Sequence, residues 1–254
     1  MIMTCSTARL LASAIGVVAF LQGAVLGQSK TVTPDITGRW AAYRAGRGTA
    51  DPKTTPPAPG PLVLKPQYAG PYEARRAAEA ESDRRGEPLA TPGTECLPSG
   101  MPMMMGAIYP MEFLQTPGQI TIIAEAYSEV RRIYLDEPQG KIGEVEPGYY
   151  GHSVGHWDGD TLVVDTIGIK ETIRGYRSMP HSDRMRITER IRLVAPDVLH
   201  DQITLDDPVV LEKPVTYTQA YRRMPDYKMQ EYVCENNREY VDEKGVTRLK
   251  LGAK

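Results

Sequence analysis

The chain has 254 residues and a formal net charge of −2. This length suits a single domain with a substantial core, and the near-zero charge gives no electrostatic argument for nucleic acid or an anionic membrane as a partner. Fourteen tyrosines stand against two tryptophans and two phenylalanines. Tyrosine combines an apolar ring with a polar tip, which suits β-sheet surfaces and ligand cavities.

The N-terminal segment predicts an export signal. Arg9 precedes an apolar run at 10–21, which is too short to span a bilayer but typical of a signal peptide. We expect cleavage before Gln28, so residues 1–27 are assigned to a signal peptide and the protein is expected to be periplasmic or secreted. No other apolar stretch is long enough for a membrane helix, and no membrane span is expected.

Two cysteines remain after the signal peptide, Cys96 and Cys234. An even number in an oxidising compartment favours one disulfide, and two buried free thiols are the alternative. Thiolate metal binding is not expected, because the chain contains no Cys-x-x-Cys or Cys-x-x-His pattern.

An extended N-terminal arm is predicted for residues 28–65, since the prolines between 52 and 59 remove backbone donors and exclude regular structure. The residues that follow are strong helix formers. They predict a helix at about 71–85, with Pro71 near its first turn and Gly86 after its end. Its many charges are interpreted as a solvated face.

From residue 118 the pattern changes to strands separated by turn residues. About eight strands without a helix indicate an antiparallel meander, either closed as a barrel or folded as a sandwich. We predict a mainly β fold with a single antiparallel, lipocalin-like β-barrel at 66–254. The predicted strands are 120–124, 130–135, 150–157, 160–167, 184–194, 199–205, 215–224 and 229–234.

The strongest local signal is the pair Asp158-Gly159 between two β-prone runs, which predicts a hairpin. His152 and His156 precede it and are four residues apart, so they share one face of the sheet. Two neighbouring imidazoles can bind a metal or transfer protons, and they can also be surface residues beside a turn.

Glu189 interrupts the alternation of its strand. Met185, Ile187 and Ile191 share its face, while arginines occupy the other. A carboxylate among aliphatic side chains is costly unless it is paired or protonated, so we expect Glu189 to point into the barrel and to have a partner. That partner is either a histidine lining a cavity or an arginine in a sealed core.

The segment around Gly38 and Trp40 resembles the Gly-x-Trp start of lipocalin-like barrels, in which an arginine of the last strand packs over the tryptophan; Arg238 is the expected counterpart. Longer motifs resemble a family of exported, largely uncharacterised bacterial proteins. This resemblance implies one β-rich domain and no particular activity. It is carried by residues 96–100, 115–118, 131–134, 151–166, 207–208, 213–214 and 231–238.

Two classes of function follow from these residues. The first is a cofactor-independent acid–base enzyme (a lyase, isomerase or hydrolase) acting on a small apolar or aromatic molecule in the barrel cavity. In that enzyme His152 or His181 is the acid or base, and Glu189 or Asp165 is its partner. The second is a non-catalytic periplasmic protein that binds a small molecule in the same cavity.

The remaining candidates concern ligands. A zinc site would need a third ligand such as His181 or Asp165. We assign the protein neither a metal nor a cofactor. The methionines near residue 103 are flexible and suit an irregular apolar cavity. The predicted ligand-binding residues are Tyr149, Tyr150, His156, Met103 and Met105.

Overall fold

The computed structural model describes residues 33–43, 51, 53–87, 89–90, 93, 96–106, 109–234 and 239–249; the expected signal peptide lies outside this part. Nine strands close into one barrel in sequence order, so the predicted mainly β, lipocalin-like fold is confirmed. The strands are β1 Gly38–Ala42, β2 Met111–Thr116, β3 Gln119–Ala124, β4 Val130–Leu135, β5 His152–Asp158, β6 Thr161–Ile167, β7 Arg186–Ala195, β8 Val198–Asp206 and β9 Val215–Arg223.

Further elements lie outside the nine barrel strands. One α-helix, α1, spans Pro66–Arg84, and single 3-10 turns occupy Met103–Gly106, Ala126–Ser128 and Tyr176–Ser178. Strands β10 (Glu239–Val241) and β11 (Thr247–Leu249) form a separate hairpin. Within the described residues, no helix has the length and apolar character needed to cross a membrane.

The barrel contains one parallel strand pair, and its strand number explains why. Neighbours in a closed ring can all be antiparallel only if their number is even. With nine strands one pair must be parallel, and here it is β4 and β5, where Ile133 faces Ser153. The connection 136–151 therefore returns along the barrel before β5 begins. The prediction of a purely antiparallel barrel is corrected at this pair.

The Gly-x-Trp segment closes one end of the barrel. Trp40 is fully buried, and its indole nitrogen donates to the carbonyl of Ile36 at 3.0 Å. The guanidinium of Arg223, at the end of β9, lies 4.2 Å from the Trp40 ring centroid and also donates to the carbonyl of Thr37. The arginine over the tryptophan is thus Arg223; the expected counterpart, Arg238, lies outside the described residues.

Three sequence assignments are corrected by the strand and helix bounds. The first barrel strand, β1, lies inside the segment assigned to the extended arm, 28–65. Helix α1 begins at Pro66 instead of about residue 71, so Pro71 lies inside the helix. Residues 229–234 are not a strand; the backbone of Gln230 donates instead to the Glu125 carboxylate at 2.8 Å.

The opposite end of the barrel, here called the mouth, carries the long connections. They follow β1, β3, β6 and β8, whereas the other end has the tight turns at 117–118, 159–160 and 196–197. Residues Met101–Gly106, the methionine plug, close the mouth. Met101, Met104 and Met105 are buried in the core, and the Tyr221 hydroxyl of β9 donates to the Met105 carbonyl at 2.6 Å.

Cys96 and Cys234 form a disulfide, with Cα atoms 5.6 Å apart. This separation lies inside the range that disulfides allow, so the predicted pairing is confirmed. The bond joins the segment before the methionine plug to the chain that follows β9.

Candidate functional site

The histidines of β5 lie on the outer wall of the barrel. Ser153 and Gly155 point inward, which places His152 and His156 on the opposite face of the strand. His156 is exposed, and His152 stacks on Tyr134 with ring centroids 5.6 Å apart. They share one face, as predicted, but that face is outside the barrel cavity.

The other two histidines also have no carboxylate partner. Nδ1 of the buried His181 lies 2.9 Å from the Ser182 carbonyl, and no hydrogen bond reaches its Nε2. Nε2 of His200 lies 2.9 Å from the carbonyl of Thr54, on the outer face of β8. No histidine of the described chain therefore meets Glu189 or Asp165.

Asp165 is half-buried on the outer face of β6. Burial raises the pKa of its carboxyl group, and Arg186 at 3.5 Å opposes that rise. Its partner in the structure is thus an arginine on the neighbouring strand β7.

Glu189 points into the barrel, as its strand pattern predicts. Its carboxylate receives two hydrogen bonds from the guanidinium of Arg131, one of them 2.8 Å long, and both side chains are 0 % exposed. Of the two partners considered, the structure contains the arginine. The same guanidinium donates to the hydroxyls of Ser153 at 3.2 Å and Thr166 at 3.0 Å. Side chains of three strands, β5, β6 and β7, therefore accept hydrogen bonds from one buried guanidinium group.

Asp201 completes this interior cluster. It is fully buried on β8, and neither carboxyl oxygen has a hydrogen-bond partner among the described residues. Burial raises the pKa of Asp201 well above its ordinary range, the charge of Glu189 raises it further, and Arg131 opposes the shift. The cluster therefore contains one cation and two carboxyl groups, and burial disfavours the charged form of Asp201.

The raised pKa of Asp201 has a measurable consequence for stability. The unfolded chain releases the Asp201 proton above about pH 3.9, whereas the folded protein keeps it to higher pH, so folding takes up a proton between the two pKa values. The free energy of unfolding should then fall as pH rises, by up to about 1.4 kcal/mol per pH unit from this group until the folded pKa is reached. We expect Asp201→Asn to remove this dependence, so that the variant gains stability relative to wild type between about pH 5 and pH 8.

Urea unfolding at a series of pH values measures this difference. Asp206→Asn, on the exposed face of the same strand, is the matched control and should keep the wild-type pH dependence. Parallel stability curves for wild type and Asp201→Asn would mean that Asp201 is ionised in the folded protein.

The interior cluster lies beneath the methionine plug and is fully buried. Met105, a predicted ligand-binding residue, has no exposed surface and belongs to the hydrophobic core. The large cavity identified among the described residues lies at the mouth instead.

This mouth cleft has a volume of about 540 Å³ and lies between helix α1 and the mouth connections. Its apolar surface includes Met103, which is 40 % exposed, and Ile173. Of the predicted ligand-binding residues, Met103 is the one that lines it. The other lining residues are Arg75, Arg76, Glu79, Ala80, Asp83, Leu89, Ala90, Gly93, Ser99, Tyr127, Arg174 and Ser178.

Some charged side chains of the cleft have an ion-pair partner in the described part of the chain and others do not. Glu79 pairs with Arg75 at 2.7 Å and with Arg76 at 3.5 Å along the helix. Arg174 is half-buried and has no ion-pair or hydrogen-bond partner for its side chain among the described residues. A partly desolvated guanidinium without a partner is unfavourable, so this position favours an anionic group in the cleft.

The backbone around the cleft is strained. Non-glycine residues rarely adopt positive φ, at a cost of about 1–2 kcal/mol each. Two consecutive pairs do so here, Tyr127 with Ser128 (φ 55° and 49°) and Arg177 with Ser178 (φ 55° and 63°). Strain of this kind concentrates at binding sites, where it holds side chains in place.

Glu129 is buried and contacts the backbone of a residue that lines the cleft. One carboxylate oxygen accepts the backbone N–H of Ser99, a lining residue, and the other is buried without a partner among the described residues. Burial raises the pKa of this carboxyl group. Tyr150 lies nearby, and burial followed by the charge of Glu129 raises the pKa of its hydroxyl.

Neither predicted tyrosine lines the mouth cleft. Tyr149 packs partly against the core, and the Lys170 ammonium lies 4.7 Å from its ring centroid. The arginines of the cleft carry no sequence signal of binding. Those of α1 have the pattern of a solvated helix face, and Arg174 belongs to no motif.

Among the residues that the structure describes, no group of three or more His, Cys, Asp or Glu side chains is placed to hold a metal ion. No protein-family model and no curated protein matches the chain. The resemblance to exported bacterial proteins therefore stays a prediction.

Proposed function

We propose that the protein binds a small amphipathic molecule, with an apolar or aromatic body and an anionic group, in the mouth cleft. The half-buried, unpaired guanidinium of Arg174 carries this proposal, since it offers charge-assisted hydrogen bonds that no described side chain accepts. Met103 and Ile173 offer apolar contact to the rest of such a molecule. The thioether of Met103 adapts its shape to different ligands.

Binding without catalysis is favoured over the acid–base enzyme. That enzyme requires a histidine and a carboxylate within hydrogen-bond reach inside a pocket. In the described chain Glu189 is sealed in the core with Arg131, and the histidines lie elsewhere. The enzyme remains a hypothesis for which the described residues offer no assembled pair.

The proposal places this binding protein outside the cytoplasm, in the periplasm or secreted. Disulfides persist in oxidising compartments and are rare in the cytosol, so the bond between Cys96 and Cys234 supports this location.

Binding of 8-anilinonaphthalene-1-sulfonate, an anionic aromatic dye, tests the site. Wild type should bind one dye molecule saturably, as fluorescence enhancement shows. Arg174→Gln should weaken binding roughly tenfold, because one charge-assisted hydrogen bond contributes about 1.5–3 kcal/mol. Met103→Ala should weaken it less, since only apolar contact is lost.

The matched control is Arg132→Gln, which removes an exposed arginine from the outer face of β4. It should bind the dye as wild type does, and near-ultraviolet circular dichroism should show all variants folded. If Arg174→Gln binds like wild type, or if Arg132→Gln weakens binding equally, the mouth cleft is not the site.

A further inference from the structure

A second concave site lies on the outer face of the barrel, on strands β6 to β9. This arginine groove has a volume of about 260 Å³ and is lined by polar and cationic side chains. None of the described residues that line it is acidic. They are Pro57, Thr161, Arg190, Arg192, His200, Gln202 and Thr218.

Strand register brings these side chains together. Arg190 and Arg192 are two residues apart on β7, so both point outward, with their Cα atoms roughly 6.6 Å apart. Across the sheet Arg190 is paired with Gln202, and Arg192 with His200. Gln202 is in turn paired with Thr218 of β9. Hydrogen-bond donors on β7, β8 and β9 therefore lie close together on the outer face of the sheet.

The segment before helix α1 makes this spot concave. The outer face of a sheet is otherwise open, but here Pro57 forms a wall above it. The wall is anchored on both sides: the carbonyl of Thr54 lies 2.9 Å from Nε2 of His200, and the backbone N–H of Gly60 donates to the carbonyl of Thr216 at 2.7 Å.

The cations of the groove are only partly neutralised. Arg190 pairs with Asp158 at 3.1 Å, and both side chains are largely exposed, so this ion pair is weak. Arg192 has no ion-pair or hydrogen-bond partner for its side chain among the described residues. Two guanidinium groups on one face, with hydroxyl and amide donors beside them, match the several acceptor oxygens of a phosphate or sulfate.

We infer that the arginine groove binds a tetrahedral oxyanion, either free inorganic phosphate or sulfate or the corresponding ester group of a larger molecule. Arg192 and Arg190 provide the charge, and Gln202 and Thr218 provide neutral hydrogen bonds, whereas the Thr161 hydroxyl already donates to Asp160 at 2.9 Å. Asp158 competes with the anion for Arg190. The site is independent of the mouth cleft, because the two share no lining residue.

Isothermal titration of the folded protein with inorganic phosphate, at ionic strength held constant with sodium chloride, tests this site. Wild type should bind one phosphate saturably. Arg192→Gln should weaken binding roughly tenfold. Asp158→Asn should tighten it, because Arg190 loses its competing carboxylate. Arg132→Gln, an exposed arginine on the outer face of β4, should leave it unchanged.

A parallel titration with glycerol 3-phosphate distinguishes the two sources of the anion. Similar affinity for phosphate and the ester would indicate that the groove recognises the free anion. Tighter binding of the ester would indicate that it recognises the phosphate group of a larger molecule. The proposal is overturned if wild type shows no saturable binding of either ligand. It is equally overturned if Arg192→Gln binds as wild type does, or if Asp158→Asn weakens binding.

Discussion

Replacing Arg131 by methionine should lower the free energy of unfolding by ~3–5 kcal/mol, the usual cost of removing one partner from a buried ion pair. Arg131 is the cation of the interior cluster, and its guanidinium satisfies Glu189 and two hydroxyls at zero exposure. Methionine is also a long, unbranched side chain, but it leaves Glu189 and Asp201 buried without a positive charge beside them. Urea unfolding followed by circular dichroism measures the loss.

Two further variants separate charge from packing. In Glu189→Gln the neighbouring carboxyl group of Asp201 is still available to balance the charge of Arg131, so the loss should be smaller than in Arg131→Met. Asp201→Asn replaces a buried carboxyl group by an amide of similar shape and should lower the free energy of unfolding least of the three. If Arg131→Met stays within about 1 kcal/mol of wild type, the ion pair does not stabilise the barrel as described.

Removing the disulfide should have an effect of similar size. Cys96 and Cys234 are separated by 138 residues. In the chain-entropy description, a loop of this length stabilises the folded state by ~4–5 kcal/mol, because the bond restricts the unfolded chain. We expect the double variant Cys96→Ala/Cys234→Ala to lose this amount in urea unfolding at neutral pH.

The reduced wild-type protein is the control for this variant. Wild type in excess reductant should unfold at the same urea concentration as the double variant, whereas the oxidised protein should be more resistant. Equal resistance of oxidised and reduced wild type would mean that the bond contributes little to stability.

Local patterns predicted the parts of this fold that depend on neighbours in sequence. The Asp158-Gly159 turn follows from turn residues between two β-prone runs, and the inward position of Glu189 follows from a two-residue period; both appear in the structure. The disulfide followed from an even cysteine count. These signals need no knowledge of distant contacts.

The orientation of β5 could not be derived in the same way. Alternation places His152 and His156 on one face but does not say which face is inside. That depends on Ser153, which receives hydrogen bonds from Arg131 of β4, and on Gly155, whose absent side chain leaves room for Ile133 and Leu162. Both contacts join separate strands.

The mouth cleft was equally hidden from sequence patterns. It is assembled from α1 and connections far apart in the chain, and the helix is positioned partly by a hydrogen bond from the Tyr72 hydroxyl to the carbonyl of Arg177, 105 residues away. Arg174 becomes a binding candidate only when its burial and lack of a partner are known.

The most direct test of ligand binding in the mouth cleft is carbon-13 NMR of protein labelled at the methionine ε-methyl groups, titrated with 8-anilinonaphthalene-1-sulfonate. Met103 lies on the cleft surface, whereas Met104 and Met105 are sealed in the plug beside it. The resonance of Met103, assigned with Met103→Ala, should shift saturably with the dissociation constant from fluorescence, and Met104 and Met105 should shift little. Saturable dye binding that leaves Met103 unshifted would contradict the proposed site.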